Sequence, residues 1–270
     1  MAEPHAEPDD SPIVLDNVSK RFGDLTVLDG VSLSLPRACT TAIIGPSGTG
    51  KSVLLKHIVG LLKPDSGAVR VFGVDMGHAR EKEIYATRKR IGMLFQDGAL
   101  FDSFNVGENI AFPLVQHHPK MSKEERREKV EKVLEMVELP GLYERATAAL
   151  SGGQRKRVGL ARAIVTQPEI VLFDEPNSGL DPMTSDAIDN LICHIRDALH
   201  VTFVVISHDI VGTVNVADHI AMLYGGKVVA WGTTDEVTHS DHPMVRRFLG
   251  RNLMLPEVGE PAVATLPRIG

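Results

Sequence analysis

The chain has 270 residues, enough for one compact domain carrying an inserted subdomain. With 43% hydrophobic and 24% charged residues it has the profile of a globular protein with a sizeable core, which excludes fibrous and wholly disordered classes. The formal charge of -6 argues against a nucleic-acid partner, since such partners are met by a concentrated basic face.

Residues 1–11, acidic and proline-rich, read as a disordered leader and not as a signal peptide. Ile13 to Val18 and Val31 to Leu35 have strand character, joined by a segment containing Gly23 and Gly30. Thr40 to Ile44 is a short apolar strand running straight into a glycine-rich stretch, and the pattern predicts a helix from Lys51 to about Leu62, ahead of Pro64. Val69 to Phe72 and Ile91 to Phe95 read as two further strands. From about residue 98 to 167 the chain turns helical. Ser122 and Glu125 have capping-box spacing, and Val130, Val133, Leu134 and Val137 share one helical face behind them. A second helix starts at Ser151 and runs to about Gln167, where Pro168 stops it. Strand character returns at Ile170 to Phe173 and Val201 to Ile206, with a crossover helix from Thr184 to Leu199 between them. This alternation predicts an α/β fold with a mainly parallel sheet and helices on both faces. The expected organisation is a main domain over 12–245, the helical insertion over about 98–167, and a tail over 246–270 in which little periodicity follows Leu249. No internal repeat stands out.

The most apolar run, Val201 to Ile206, is broken at once by Ser207 and His208, far short of the roughly 18 apolar residues of a spanning helix. Any membrane role must therefore come through a partner. Cys39 and Cys193 lack metal-type spacing and are expected as free thiols in a reducing cytosol.

Gly45-Pro46-Ser47-Gly48-Thr49-Gly50-Lys51-Ser52 fits the phosphate-binding pattern G-x-x-x-x-G-K-[ST] in full, between a predicted strand and a predicted helix. The glycines let the backbone curl so that N–H groups face phosphate oxygens, and the helix adds its positive dipole end. This chemistry calls for a nucleotide's phosphates, with Lys51 on the β- and γ-phosphates and the Ser52 hydroxyl on Mg²⁺. Ile170-Val171-Leu172-Phe173-Asp174-Glu175 is a buried strand with acids only at its C-terminal end, where open α/β sheets bind ligands. Alone, those acids would be ordinary strand-end residues. Beside a phosphate loop, Asp174 is the expected Mg²⁺-side carboxylate and Glu175 the group that orients and polarises the attacking water. His208, after the strand ending at Ile206, is either a hydrogen-bonding surface residue or a γ-phosphate sensor.

Leu150-Ser151-Gly152-Gly153-Gln154 resembles the signature motif of ABC ATPases, in the order that family requires between a phosphate loop and an acidic strand end. The other family marks match too. Gln96, in Phe95-Gln96-Asp97, is similar to the Q-loop, which implies a place at the metal and the reacting water. Ser178-Gly179-Leu180-Asp181 resembles the D-loop and His208 the switch histidine. Phe22 stands where the family has an aromatic that stacks on adenine, though apolar packing would also suit it. The likeness covers about residues 12 to 240. It implies that Ser151, Gly152, Gly153 and Gln154 meet the γ-phosphate held by a second copy, so that two chains sandwich two ATP molecules. Val53 and Asn177 depart from the commonest family residues, and neither departure removes a group with a chemical role.

The stretch Met93 to Val106, continued by Asn109 to Leu114, resembles the ATPases of Mla- and Mce-type phospholipid transport systems more than those of amino-acid or sugar importers. Read physically, its Phe101 and Phe104 could equally be core. The resemblance implies an ATPase peripheral to the cytoplasmic face of the inner membrane. Its implied partners are a membrane permease, a second copy of itself, an Mce-type substrate-binding protein and a small cytosolic accessory subunit. The alternatives are an importer of small polar solutes, or an ABC-type ATPase acting on ribosomes or DNA. The latter usually carry two cassettes or long coiled coils, and this chain shows neither.

Overall fold

The computed structural model describes residues 11–96, 98–207 and 209–253. The expected leader therefore lies, but for Ser11, outside the described residues, and so does the tail beyond residue 253. Ten strands and nine α-helices follow in chain order among the described residues. The strands are β1 (Ile13–Phe22), β2 (Leu25–Leu35), β3 (Thr40–Ile44), β4 (Ser66–Val71), β5 (Val74–Asp75), β6 (Ile91–Leu94), β7 (Ile170–Asp174), β8 (Thr202–Ile206), β9 (His219–Tyr224) and β10 (Lys227–Thr233). The helices are α1 (Lys51–Ile58), α2 (Glu81–Arg88), α3 (Val106–His117), α4 (Lys123–Met136), α5 (Gly152–Ile164), α6 (Pro182–Leu199), α7 (Ile210–Val216), α8 (Thr234–Thr238) and α9 (Pro243–Leu253).

The central sheet has six strands in the order β10-β9-β3-β8-β7-β6, all parallel except β10, which returns antiparallel to β9. A second, antiparallel sheet has the order β2-β1-β4-β5. The expectation of a mainly parallel sheet thus holds for the larger sheet, and the smaller one adds a layer over it. Period-two alternation explains how the layers share their strands. Val171 and Phe173 of β7, with Phe203 and Val205 of β8, enter a cluster with α3, α4, α5 and α6. Ile170, Leu172, Val204 and Ile206 point the other way, to α1 and the antiparallel sheet. Phe173 and Phe203 meet edge-on with ring centroids 5.0 Å apart. A third cluster packs Ala42, Ile44, Ile220 and Met222 against Ile210, Val245 and Leu249.

The helical insertion leaves the sheet after β6 and returns at β7, its parallel neighbour. Its caps follow the sequence: Ser122 and Glu125 exchange side-chain bonds with each other's N–H at 3.1 and 2.7 Å. Two expected boundaries shift. The first helix ends at Ile58 rather than Leu62, because Gly60 adopts φ +67° and Gly60 and Leu61 donate back to the His57 and Lys56 carbonyls, a Schellman stop. The boundary at residue 246 falls inside α9, whose Val245 and Leu249, four residues apart, are both buried. Packing against the domain therefore reaches Leu249.

Candidate functional site

The phosphate loop joins β3 to α1. Gly45 has φ +146°, and a Cβ there would stand 2.1 Å from the Leu223 carbonyl oxygen, so the loop can press against β9 only with glycine. Thr49 Oγ1 donates to the Pro46 carbonyl at 2.9 Å and closes the loop on itself. Lys51 is buried, and its ammonium donates to the carbonyls of Gly45 (2.7 Å) and Pro46 (2.9 Å). Burial pulls this amine below the ordinary lysine value, opposed by the charges of Glu175 and Asp174. Most other helices here start under a side-chain cap: Asn105, Ser122, Ser151, Asp181, Asp209 and Thr233 each accept from a first-turn N–H. The α1 N-terminus has none and no acidic residue in its first turn. Its leading N–H groups are left for an anion.

That end of α1 faces a cavity of about 380 Å³ lined by Phe22, Val27, Ser47, Gly48, Gly50, Lys51, Ser52, Val53 and Glu175. Gly45, Pro46 and Thr49 belong to the loop but do not line the cavity. Phe22 stands on the rim, 47% exposed, outside the buried core.

Asp174 ends β7, and the Ser52 hydroxyl lies 3.4 Å from its Oδ1. Burial and the neighbouring charge of Glu175 push the Asp174 carboxyl up. A cation between Ser52 and Asp174 would relieve both effects, so these oxygen donors fit Mg²⁺ held mostly by phosphate and water. Among the described residues no group of three His, Cys, Asp or Glu could hold a metal alone. Glu175 has φ +53°, a left-handed conformation that is costly for a non-glycine residue. Its N–H donates to the Ile206 carbonyl at 2.9 Å, and this sheet contact holds the turn.

Gln96 stands in the loop after β6. Its side-chain amide donates to Ser178 Oγ at 3.2 Å, so the structure brings together Ser52 and Asp174 but ties Gln96 to the loop after β7. His208 lies outside the described residues. Lys156, buried on α5, was missed by the sequence reading. Its ammonium donates to the backbone carbonyls of Gln96 and Glu175, linking the signature helix to both loops. The signal available was a pair of cations, Lys156 and Arg162, among the apolar residues of that helix.

Ser151 caps α5: its hydroxyl accepts from the Gln154 N–H at 3.2 Å, and Gln154 Oε1 accepts from the Ser151 N–H at 3.0 Å. Gly152 and Gly153 provide the first two N–H groups of the helix, which have no intrahelical partner. A Cβ on Gly153 would meet Thr184 Cγ2 at 2.6 Å, so glycine lets α5 start hard against α6. None of residues 151–154 lines the phosphate-loop cavity. Within one chain the start of α5 and the phosphate-loop cavity therefore stay separate.

The phosphate loop after a central parallel strand, with an acidic end on the strand one place beyond its neighbour β8, defines a P-loop nucleoside triphosphatase. The family description "ABC transporter" matches residues 28–178, more than half of the chain, and the chain belongs to that family as an ATPase subunit. It is 40% identical over 242 residues to the probable ribonucleotide transport ATP-binding protein mkl of Mycobacterium leprae, covering 89% of this chain and 70% of that one. It is also 40% identical over 233 residues to the intermembrane phospholipid transport system ATP-binding protein MlaF of Escherichia coli K12, covering 86% of each. Among solved structures, the dimeric post-hydrolysis state of the ATP-binding cassette MJ0796 bound to ADP and Pi superposes with a TM-score of 0.74 at 32% identity. That match covers 82% of this chain and 98% of the other. No helix among the described residues is long and apolar enough to cross a membrane. Cys39 and Cys193 are free thiols.

Proposed function

We propose that this chain works as a pair, two copies enclosing two ATP molecules, and energises phospholipid transport through a membrane permease at the cytoplasmic face of the inner membrane. The observation that carries the pairing is the separation, within one chain, of the phosphate-loop cavity from the Ser151–Gln154 helix start. In the pair, Ser47 to Ser52 hold the phosphates of one ATP, and Ser151, Gly152 and Gly153 of the second copy grip its γ-phosphate. Mg²⁺ held by Ser52 and Asp174 supplies charge neutralisation of the phosphate oxygens. Glu175, with its backbone fixed, polarises a water that attacks the γ-phosphorus as the bond to the bridging oxygen breaks, giving ADP and phosphate. Gln96, tied to Ser178, reports on the loop facing the second copy, and His208 is the γ-phosphate sensor.

The permease contact lies around Phe95 and Phe101, both partly exposed. Phe101 packs on Phe104 and Phe112 with centroids 5.2 and 4.8 Å away, and buried Asn109 pins that loop through bonds to Phe101, Phe104 and Asn105. The choice of phospholipid rests on the 93–114 wording and on the MlaF relative. Mce-type and small accessory partners accompany that reading. The equal identity to mkl keeps an importer of polar solutes as the second reading.

Mixing Ser151→Arg chains with Glu175→Gln chains tests the shared site. Each variant alone is inactive, while the mixed pair regains one working site, about half of the activity per mixed dimer. No recovery on mixing would overturn the pairing. Phospholipid co-purifying with the assembled permease complex is expected; a complex stimulated by a polar solute and free of lipid would favour the importer.

A further inference from the structure

The end of β1 carries Phe22 to the rim of the nucleotide cavity, yet the sheet holds that end poorly. Pairing with β4 stops at Ser19 and Ser66, so Lys20, Arg21 and Phe22 have a strand neighbour on one side only. On that side, toward β2, the register slips three times between Leu15 and Arg21. The ring itself is half exposed and draws little support from the core.

Asp65, just ahead of β4, occupies the missing neighbour's place. Its N–H donates to the Ser19 carbonyl at 2.9 Å. Its Oδ2 accepts the Arg21 N–H at 2.7 Å, the bond a strand carbonyl would otherwise make. Its Oδ1 accepts the Lys20 ammonium at 2.7 Å, and that ammonium lies 5.7 Å from the centre of the Phe22 ring. We propose that Asp65 is a positioning residue for nucleobase recognition, its carboxylate standing in for a β-strand and fixing Phe22 over the cavity. The inference rests on the reading that Phe22 stacks on adenine. Hydrogen bonds from Lys20 and the Arg21 N–H also hold the Asp65 carboxyl below the usual carboxylate range, so it stays ionised for this task at neutral pH. A lone exposed ion pair would contribute little, but the backbone bond adds geometry the ion pair lacks.

The test compares binding of ATP with binding of inorganic tripolyphosphate, both with Mg²⁺, in the full chain. Tripolyphosphate has the charge without the base. Phe22→Ala should weaken ATP about tenfold, in keeping with the loss of one stacked base, and leave tripolyphosphate unchanged. Asp65→Ala should weaken ATP about five- to tenfold with tripolyphosphate unchanged, and should add nothing in the Phe22→Ala background. Asp65→Asn, which keeps one acceptor oxygen, should fall between, and guards against a poorly folded alanine variant. If Phe22→Ala weakens ATP while neither Asp65 variant does, the inference fails and the role of Phe22 stands. If Phe22→Ala changes nothing, the stacking reading fails and the inference falls with it. An Asp65 effect equal on both ligands, or additive with Phe22→Ala, would mean Asp65 supports the fold at large and would overturn the proposal.

Discussion

Replacing Asp189 by Asn should stabilise the protein at neutral pH. Asp189 lies on the inward face of α6, 7% exposed, and its Oδ1 accepts from Asn177 Nδ2 at 2.8 Å. Its Oδ2 and the Asp209 Oδ2 crowd the same point, 2.6 and 2.8 Å from where a Cβ on Gly212 would stand. Burial, with the charges of Asp209 and Asp186, pushes the Asp189 carboxyl from 3.8 up to about 6, against the pull of the Asn177 bond. A folded-state value raised in this way favours the protonated form. The stability it contributes is complete below the unfolded value of 3.8 and is lost as pH rises through 6. Above that range the fold carries a buried carboxylate at a cost of about 3 kcal/mol. Asn keeps the shape and the acceptor for Asn177 but carries no charge. At roughly 2–4 °C per kcal/mol for a domain of this size, the Tm should rise by about 6–12 °C at pH 7.5. Thermal melts of both proteins across pH 4 to 8 read this directly, and the gap should narrow toward pH 4. Equal melting temperatures at pH 7.5, or a gap independent of pH, would refute the reasoning.

Gly153→Ala should slow ATP hydrolysis at least tenfold by wedging α5 from α6, and Thr184→Ser, which removes the opposing methyl but keeps the hydroxyl bonded to Asp181, should recover much of it. Steady-state turnover of the single and double variants checks this, and no recovery would place the defect elsewhere. Lys51→Ala should weaken ATP binding about 10- to 100-fold, the worth of charge-assisted bonds to phosphate; unchanged affinity in a titration would remove the lysine from the phosphate site. Glu175→Gln should bind ATP normally, stop turning over, and accumulate as an ATP-bound dimer in size-exclusion chromatography. Full turnover would contradict its role.

Much of this was legible beforehand because it is local. A phosphate loop needs its glycines and lysine at set spacing, and a capping box needs Ser and Glu three residues apart, so Gly45 to Ser52 and Ser122 with Glu125 could be read from the chain alone. The strand ends carrying Asp174 and Glu175 were legible for the same reason: four apolar residues followed by two acids describe a buried strand reaching the sheet's edge. Less visible were α2, β9, β10 and the short helices α7 and α8, whose polar or brief segments hold their shape through packing on neighbours. The end of the first helix was misplaced because Gly60 and its carbonyl partners settle it, against an apolar pattern that runs on to Leu62.

By itself the sequence determined the family, the phosphate-loop pattern, the acidic strand end and the Leu150–Gln154 motif, because each is a run of neighbouring residues whose chemistry depends on spacing. Only the tertiary structure decided that Gln96 turns to Ser178, that Lys156 ties the signature helix to Glu175, and that Asp65 completes the strand bearing Phe22. Those contacts join residues 19 to 82 positions apart or close a gap in a sheet, and chain order carries no record of which distant groups will share a low-dielectric interior or a missing hydrogen bond.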